Sequence, residues 1–460
     1  MTNLTHLRFA AREIFEAVLR AVDAGAAVRR ALRLEGSRLS IRDTAIDIGN
    51  RHVYSIAIGK AAGKMAAALE EILGERLTAG IISSNTPRFG PANSDRIDTP
   101  QVNNLRHKVF LAGHPEPNEQ SLAAARACFD LLDRANQEHA LLIFLVSGGG
   151  SAMIEWPIRQ DFTLADIRTA NKALVNSGAS IGEINAVRRA FSAVKGGRLA
   201  ARAPNCDQVT LIVSDVPAGE ERNVASGPSL VPPGNAPDAR DVIAHYNLSP
   251  LLPESVLRAI KAVSAPLEDK SESLREHIVL LDNRSALEAA AQAAQRHGYR
   301  TKIAENISDQ AIETGCEQLV AQLDELSANS SANEMSATVC LISGGEFACP
   351  VRGNGIGGRN LETALRLARS TNLSLLHDRP FVALCAGTDG IDGNSPAAGA
   401  IVDNSTGMRA ESIGLYPLDF LQRSDAYSFF VALGDAITTG PTGTNVRDVR
   451  ILLGQTDRSF

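Results

Sequence analysis

Apolar positions along this chain come in short unbroken blocks separated by alanine-rich segments with helical spacing. HVYSIAIG (52–59), TAGIISS (78–84), KVFLAG (108–113), ALLIFLVSGGG (140–150) and VTLIVSDV (209–216) are such blocks, and KAAGKMAAALEEIL (60–73) is one of the intervening segments. Unbroken apolar runs of this length read as strands covered on both faces. Strands alternating with amphipathic helices predict a parallel sheet flanked by helices. From about 228 to 275 the pattern gives way to PSLVPPGNAPD, NLSPLLPES and APLEDKSES, rich in Pro, Ser and charge. A second series then begins with HIVLLDNRSALEAAAQAAQRHGYRTKIAE (277–305), continues through the blocks ending at SGGE (343–346) and GTDG (387–390), and closes with VRILLG (449–454). The expected organisation is a large α/β domain over 1–250, a linker over 251–275 and a second α/β domain over 276–460, with the return of the last segment to the first domain left open.

Composition narrows the function classes. At 460 residues the chain exceeds what one core usually serves, and 44% hydrophobic with 21% charged residues is ordinary globular content. A net charge of -6 and 4% aromatics argue against a nucleic-acid surface or base-stacking platforms. No apolar stretch is long enough to span a bilayer. The N-terminal segment carries Glu13, Glu16 and Asp23 and lacks a secretory core, so a cytoplasmic location without membrane attachment is expected. The six cysteines include no CxxC pair and the nine histidines no HExxH, which points away from disulfides and structural zinc.

Chemistry concentrates at the carboxyl ends of the expected strands, where ligands bind in open α/β sheets. Ser147, Gly148, Gly149, Gly150 and Ser151 follow a buried strand, and their N–H groups and hydroxyls suit an anion-holding nest. The GK[ST] ending of a Walker A loop is missing. Lys60 and Lys64 fall in the first turns of a helix, where a cation opposes the macrodipole unless an anion sits beside it. Asp215 and Asp389 end apolar strands and are the candidate Mg²⁺ carboxylates; Asp392 and Asp403 read as turn residues. In EINAVRRAFSAVKGGRLA (183–200), read as a helix ended by Gly196 and Gly197, Asn185, Arg188, Ser192 and Lys195 share one face. Gly353, Gly355 and Gly358 match G-x-G-x-x-G, yet the acidic residue expected about 20 positions on is displaced to Asp389, so the loop reads better as a mount for Arg359. An LFLVSGGG-like ending recurs at LISGGE, giving Gly344, Gly345 and Glu346. The hydroxyl-rich LGDAITTGPTGTNVRD (433–448) offers Thr442, Thr444 and Asn445 as a polyphosphate cap or simply forms a long turn.

The strings AIGKAAGKMA, AGHPEPN, SGGGSA, EINAVRRAFSAVKGGRLA, SDVPAGE with ASGPS, SGGE with GNGIGGRN, GTDGIDG and GPTGTNVRD occur in an order that resembles the bacterial-type glycerate 2-kinases, over nearly the whole chain. That resemblance implies two Rossmann-like α/β domains with mainly parallel sheets, the second of MOFRL type, and an active site in the interdomain cleft. It implies an ATP- and Mg²⁺-dependent kinase acting on D-glycerate at its 2-hydroxyl, with Lys60 and Arg359 as key residues. Ser147 to Ser151, Asn185, Arg188 and Lys195 are then expected on the substrate or phosphate. Gly344, Gly345, Glu346, Gly355, Gly357, Gly358, Asn360, Thr442, Thr444 and Asn445 are expected on the nucleotide. Asn118 stands where that family usually has Asp. Some members carry the label hydroxypyruvate reductase, and an NAD(P)H-dependent reductase is the alternative reading. A homodimer is compatible with the sequence, which does not fix the oligomeric state.

Overall fold

A computed structural model describes residues 3–86, 106–262, 272–328, 338–369 and 379–455. It divides into two compact units: a continuous one, Ala24–Leu280, and a split one made of the residues up to Asp23 together with Leu281 onward.

In the continuous unit, a small antiparallel sheet (β1 Leu32–Glu35, β2 Arg38–Ile41, β3 Thr44–Asp47) precedes the main sheet. The main sheet is built from β4 (Val53–Ile58), β5 (Leu77–Ser84), β6 (His107–Leu111), β7 (Leu141–Ser147), β8 (Asp207–Val213) and β9 (Arg275–Leu281), in the order β6-β5-β4-β7-β8-β9. The pairings β6–β5, β5–β4, β4–β7 and β7–β8 are all parallel, as the unbroken apolar runs predicted. Every residue of β4 and β7 is buried. Ile56, Ile58, Phe144 and Val146 form one core with Ala124, Cys128 and Leu132 of the helix Glu119–Gln137. Asn118 caps that helix: its Oδ1 accepts the Ser121 N–H at 3.0 Å, while Ser121 Oγ returns to the Asn118 N–H. A second core of helices 164–175, 181–191, 239–245 and 254–261 gathers Leu174, Val187, Phe191, Val242 and Val256.

The linker expectation therefore needs correction. Within 251–275, Glu254–Lys261 is a packed helix and β9 begins at Arg275; residues 263–271 lie outside the described residues. HIVLL, read as the first strand of the second series, is an edge strand of the first sheet.

Among the described residues the split unit has six strands: β10 (Arg300–Ile303), β11 (Thr338–Ser343), β12 (Phe381–Gly387), β13 (Gly399–Asp403), β14 (Ala436–Ile437) and β15 (Asp448–Gln455), ordered β10-β11-β15-β12-β13-β14. Only the β10–β11 pairing is parallel; the other four are antiparallel, so this sheet is mixed. The terminal segment does not return to the other unit. β15 lies between β11 and β12 and runs against both, which leaves their carboxyl ends, and the start of β15, at one edge. The segment that crosses is at the other end of the chain: the helix Asn3–Ala21 packs on the helix Asn283–Arg296 and on β12.

Candidate active site

In the continuous unit the glycine motifs meet at the carboxyl ends of β4, β7 and β8. Gly59 turns the chain after β4 with φ +114°, and a Cβ there would stand 2.3 Å from Ser147 O, so no side chain fits. Lys60 follows in the loop, ahead of the helix Ala62–Leu73, and its N–H donates to Gly148 O at 2.9 Å. Only Lys64 lies in the first turn. Each glycine of the SGGGS loop is faced by a different motif: Gly148 by the Asp215 carboxylate, Gly149 by the His114 ring of AGHPEPN, Gly150 by Ala225 of ASGPS. The loop is thus the meeting point of five sequence motifs. Ser147 itself is a clamp: its buried hydroxyl donates to Ile58 O (3.2 Å) and accepts the Ala61 N–H (3.0 Å), tying β4's turn to β7's. Both bonds commit the Ser147 hydroxyl to the protein itself.

The 183–200 segment departs from its expected form. The helix stops at Phe191, and Ser192 is extended, bridging to Pro157. Asn185 and Arg188 share a helix face, but Ser192 and Lys195 lie beyond it. Both turn inward onto Glu155: Ser192 Oγ donates to Oε1 at 2.5 Å and the Lys195 ammonium pairs with Oε2. Lys195 is fully buried, and burial lowers its pKa against the opposing pull of Glu155. Lys195 is therefore a structural ion-pair partner, not a ligand for substrate. Asn185 and Arg188 join the glycine loop through Ser226 and Ser151.

In the split unit, Arg359 opens the helix Arg359–Arg369. Its fork already holds Asp448, the first residue of β15, through Nε to Oδ2 (2.6 Å) and Nη2 to Oδ1 (3.2 Å), and Nη2 also meets Glu346 Oε1 at 2.7 Å. Burial disfavours the charge, but Asp448 and then Glu346 outweigh it and hold the guanidinium above its ordinary pKa. Its Nη1 has no partner among the described residues. The SGGE loop is fixed from beneath by Arg450, whose buried guanidinium donates to the carbonyls of Gly344 and Gly345 (3.4 Å for the latter) and lies 3.5 Å from the Phe347 ring centroid. Asn283 fixes it from the side: its Oδ1 accepts Gly345 N–H at 3.0 Å, and its Nδ2 donates to Val446 O (2.7 Å) and Asp448 O (3.0 Å). Glu346 N–H donates to Asp309, which also receives Arg447.

Asn360 donates from its backbone and side chain to Asp392 Oδ1, and Leu361 N–H to Oδ2 at 2.8 Å. Asp392 does open a turn, its carbonyl accepting Ser395 N–H at 3.1 Å, and its buried carboxylate also caps the Arg359 helix; burial raises its pKa to about 7 against these donors. Asp403 also stands at a turn, its Oδ1 accepting Ser405 N–H at 2.7 Å, and its buried Oδ2 takes Arg8. Asp389 does sit in a turn, accepting Ile391 N–H on Oδ1 (3.2 Å) and Thr442 N–H on its carbonyl (3.0 Å). Thr442 and buried Thr444 brace the 440–446 loop through Thr388, and Asn445 Oδ1 accepts Arg447 N–H.

Gly353, the first of the G-x-G-x-x-G series, lies ten residues beyond the end of β11 at Ser343. A Cβ at Gly353 or Gly355 would strike Arg423 or Asp425, and one at Gly358 would strike Asp392. Gly357 N–H is held by Asn394 at 2.8 Å. This is a protein-packed loop mounting Arg359, not a strand-to-helix turn open to a pyrophosphate. Among the described residues no three His, Cys, Asp or Glu side chains gather as a metal cage. A Mg²⁺ carried on substrate phosphates needs only one or two carboxylates, and Asp215, against Gly148, fits that demand.

Sequence reasoning missed Arg450, Asp448, Asn283 and Glu155. Their partners are distant in the chain; Asp448 closes the GPTGTNVRD string, and a charged residue inside the apolar run of β15 was the signal for Arg450.

Residues 10–261 match the family described as a domain of unknown function (DUF4147), and residues 339–448 match the MOFRL family. The D-glycerate 2-kinase of Thermotoga maritima is 35% identical over 416 residues, covering 90% of this chain and 93% of that protein. A putative hydroxypyruvate reductase of Agrobacterium vitis is also 35% identical, covering 86% of each. A crystal structure of glycerate kinase from Thermotoga maritima matches with a TM-score of 0.77 at 31% identity, covering 98% of this chain and 99% of that one.

Proposed function

The chain belongs to the glycerate 2-kinase family, with its DUF4147 and MOFRL regions, and on that premise we propose that it transfers the γ-phosphoryl group of MgATP to the 2-hydroxyl of D-glycerate, giving 2-phosphoglycerate and ADP. The observation that carries the reading is the convergence of AIGK, AGHPEPN, SGGGS, SDVPAG and ASGPS on one set of strand ends, with Lys60 and Asp215 among them. In such a transfer the hydroxyl oxygen bonds to phosphorus as the bond to the ADP oxygen breaks. The hydroxyl proton leaves, and the protein contributes mainly position and positive charge.

Lys60, held by its own N–H on Gly148, is the cation carried next to the glycine loop. Arg359 brings a guanidinium whose geometry is fixed by Asp448 and whose Nη1 faces no protein partner among the described residues. Mg²⁺, bound with the nucleotide, would neutralise phosphate charge, and Asp215 is the carboxylate suited to hold it. The backbone N–H groups of the SGGGS loop supply neutral donors for anionic oxygens.

The test is a coupled assay on one preparation: ADP release with D-glycerate and MgATP beside NADH oxidation with hydroxypyruvate. Glycerate-dependent ADP release without NADH oxidation is expected; the reverse would establish the reductase suggested by the name of the Agrobacterium relative. Lys60→Ala and Arg359→Ala should each lower kcat by about 10³-fold or more, as for other charge-stabilising groups in phosphoryl transfer. Near-normal turnover in either variant would remove that residue from the mechanism.

A further inference from the structure

We propose that Arg188, oriented by Asn171 and Asn185 and linked to the glycine loop through Ser226 and Ser151, is the receptor for the carboxylate of the acceptor substrate. The proposal rests on the kinase reading and assigns one end of its substrate.

The arginines of the two units are held in opposite ways. Arg359 lies between two carboxylates. Arg188 has no carboxylate within 4.0 Å among the described residues, and its partners are neutral amide oxygens: Nε donates to Asn171 Oδ1 at 2.8 Å and Nη1 to Asn185 Oδ1 at 3.4 Å. Amide acceptors fix a guanidinium in place without cancelling its charge. The nearby acid, Glu155, is taken by Lys195 and Ser192. Burial pushes the Arg188 guanidinium down to about 10, and Glu155 only partly restores it. Arg189 and Arg198 add to the positive field but point away, Arg189 to Asn223 Oδ1 and Arg198 to the carbonyls of Arg189, Ser192 and Lys195. An arginine kept charged, partly exposed and without an acid is a site awaiting an anion.

A relay of hydroxyls connects it to the loop. Ser226 Oγ donates to Asn185 Oδ1 at 2.7 Å, so the 2.7 Å contact between the Ser151 and Ser226 hydroxyls has Ser151 as donor. Asn185 Nδ2 donates to Asn223 O at 3.2 Å and fixes the amide's orientation. Ala225 and Ser226 both adopt left-handed backbone, φ +52° and +61°, without being glycine. That strained pair seats Ala225 against Gly150 and turns Ser226 toward Asn185. One accessible, uncompensated cation flanked by two hydroxyls matches a singly charged hydroxy acid better than a polyphosphate of several charges.

The experiment compares wild type, Arg188→Gln, Arg188→Lys and Ser226→Ala. KM for D-glycerate, KM for ATP and kcat are taken from ADP release, and D-glycerate and inorganic phosphate binding from calorimetry. Removing one charge-assisted interaction predicts a rise of roughly 10–100-fold in glycerate KM for Arg188→Gln. A smaller rise is expected for Arg188→Lys, with ATP KM within about twofold and a parallel loss of glycerate affinity in calorimetry. Ser226→Ala leaves the guanidinium intact and should still raise glycerate KM, which covers the case that Arg188→Gln does not fold. Unchanged glycerate affinity in the variants would overturn the proposal, as would a rise confined to ATP KM or a loss of phosphate binding with glycerate binding intact. Absence of glycerate-dependent ADP release in wild type would instead sink the kinase reading, leaving the calorimetric comparison to decide the carboxylate site.

Discussion

Arg450 carries its charge with no exposure to solvent, and its nearest carboxylate oxygen, on Asp448, is 3.8 Å away. What compensates it is the pair of glycine carbonyls it braces and the ring of Phe347. Arg450→Met keeps the stem's volume but strands those buried carbonyls, so it should lower unfolding free energy by about 2 kcal/mol or more, read from urea denaturation. It should also reduce turnover by loosening Glu346 and Asp448 around Arg359. Asp392 gives a pH prediction. Its folded pKa, about 7, lies above the ordinary carboxylate value near 4, so the folded state retains a proton that the unfolded state has lost between those values. Stability from this group is full below about pH 4 and declines as pH rises toward 7. Asp392→Asn should flatten that decline in thermal melts while costing about 1 kcal/mol of helix capping. A slope unchanged from wild type would assign it to other groups. The site's motifs were legible at this scale because glycine runs mark backbone that tolerates no side chain. Ser147 and Lys195 were misread because their bonding partners, Ile58, Ala61 and Glu155, lie 40 to 89 residues away.

Among the elements, the helix 181–191 shows how a local pattern can overrun. Its helical spacing continues to Lys195, but Glu155 draws Ser192 and Lys195 inward and ends the helix four residues early. The helix Asn3–Ala21 shows the converse: its apolar stripe is plain in the sequence, while the surface it covers is not. Arg8 binds both Asp403 and Asp435, two carboxylates that are 4% exposed, and Arg409 shares Asp435. Arg8→Ala leaves buried acids with too little positive charge and should destabilise the split unit by about 3 kcal/mol. Hydrogen exchange should then quicken in β13 and in the helix 3–21, with β4 and β7 unaffected. Uniform acceleration across both units would mean that Arg8 is not confined to this anchor.

For the molecule as a whole, the α/β class and the continuous unit's parallel sheet were readable. The mixed sheet was not, because a central strand buried on both faces gives the same unbroken apolar run whichever way it points. β15 is all buried but for its last residue, and nothing in VRILLG says that its neighbours are antiparallel. The division of the chain was misplaced for a related reason: β9 and the helix 3–21 pack with elements far from them in sequence. The glycine-rich motifs gather at strand ends within each unit, and the assays above address what they do.

The position of β15 also has a consequence for synthesis on the ribosome. Until residues 448–455 emerge, β11 and β12 have no strand to join them, and the split unit's sheet remains in two pieces. The helix 3–21, made before all of these, packs on the helix 283–296, β12 and β15, and the surface it covers is complete only after the 426 residues from 22 to 447 have been made. At 5–20 residues per second this is roughly 20–90 s. During that time an amphipathic helix is available to chaperones or to unwanted partners while the continuous unit folds behind it.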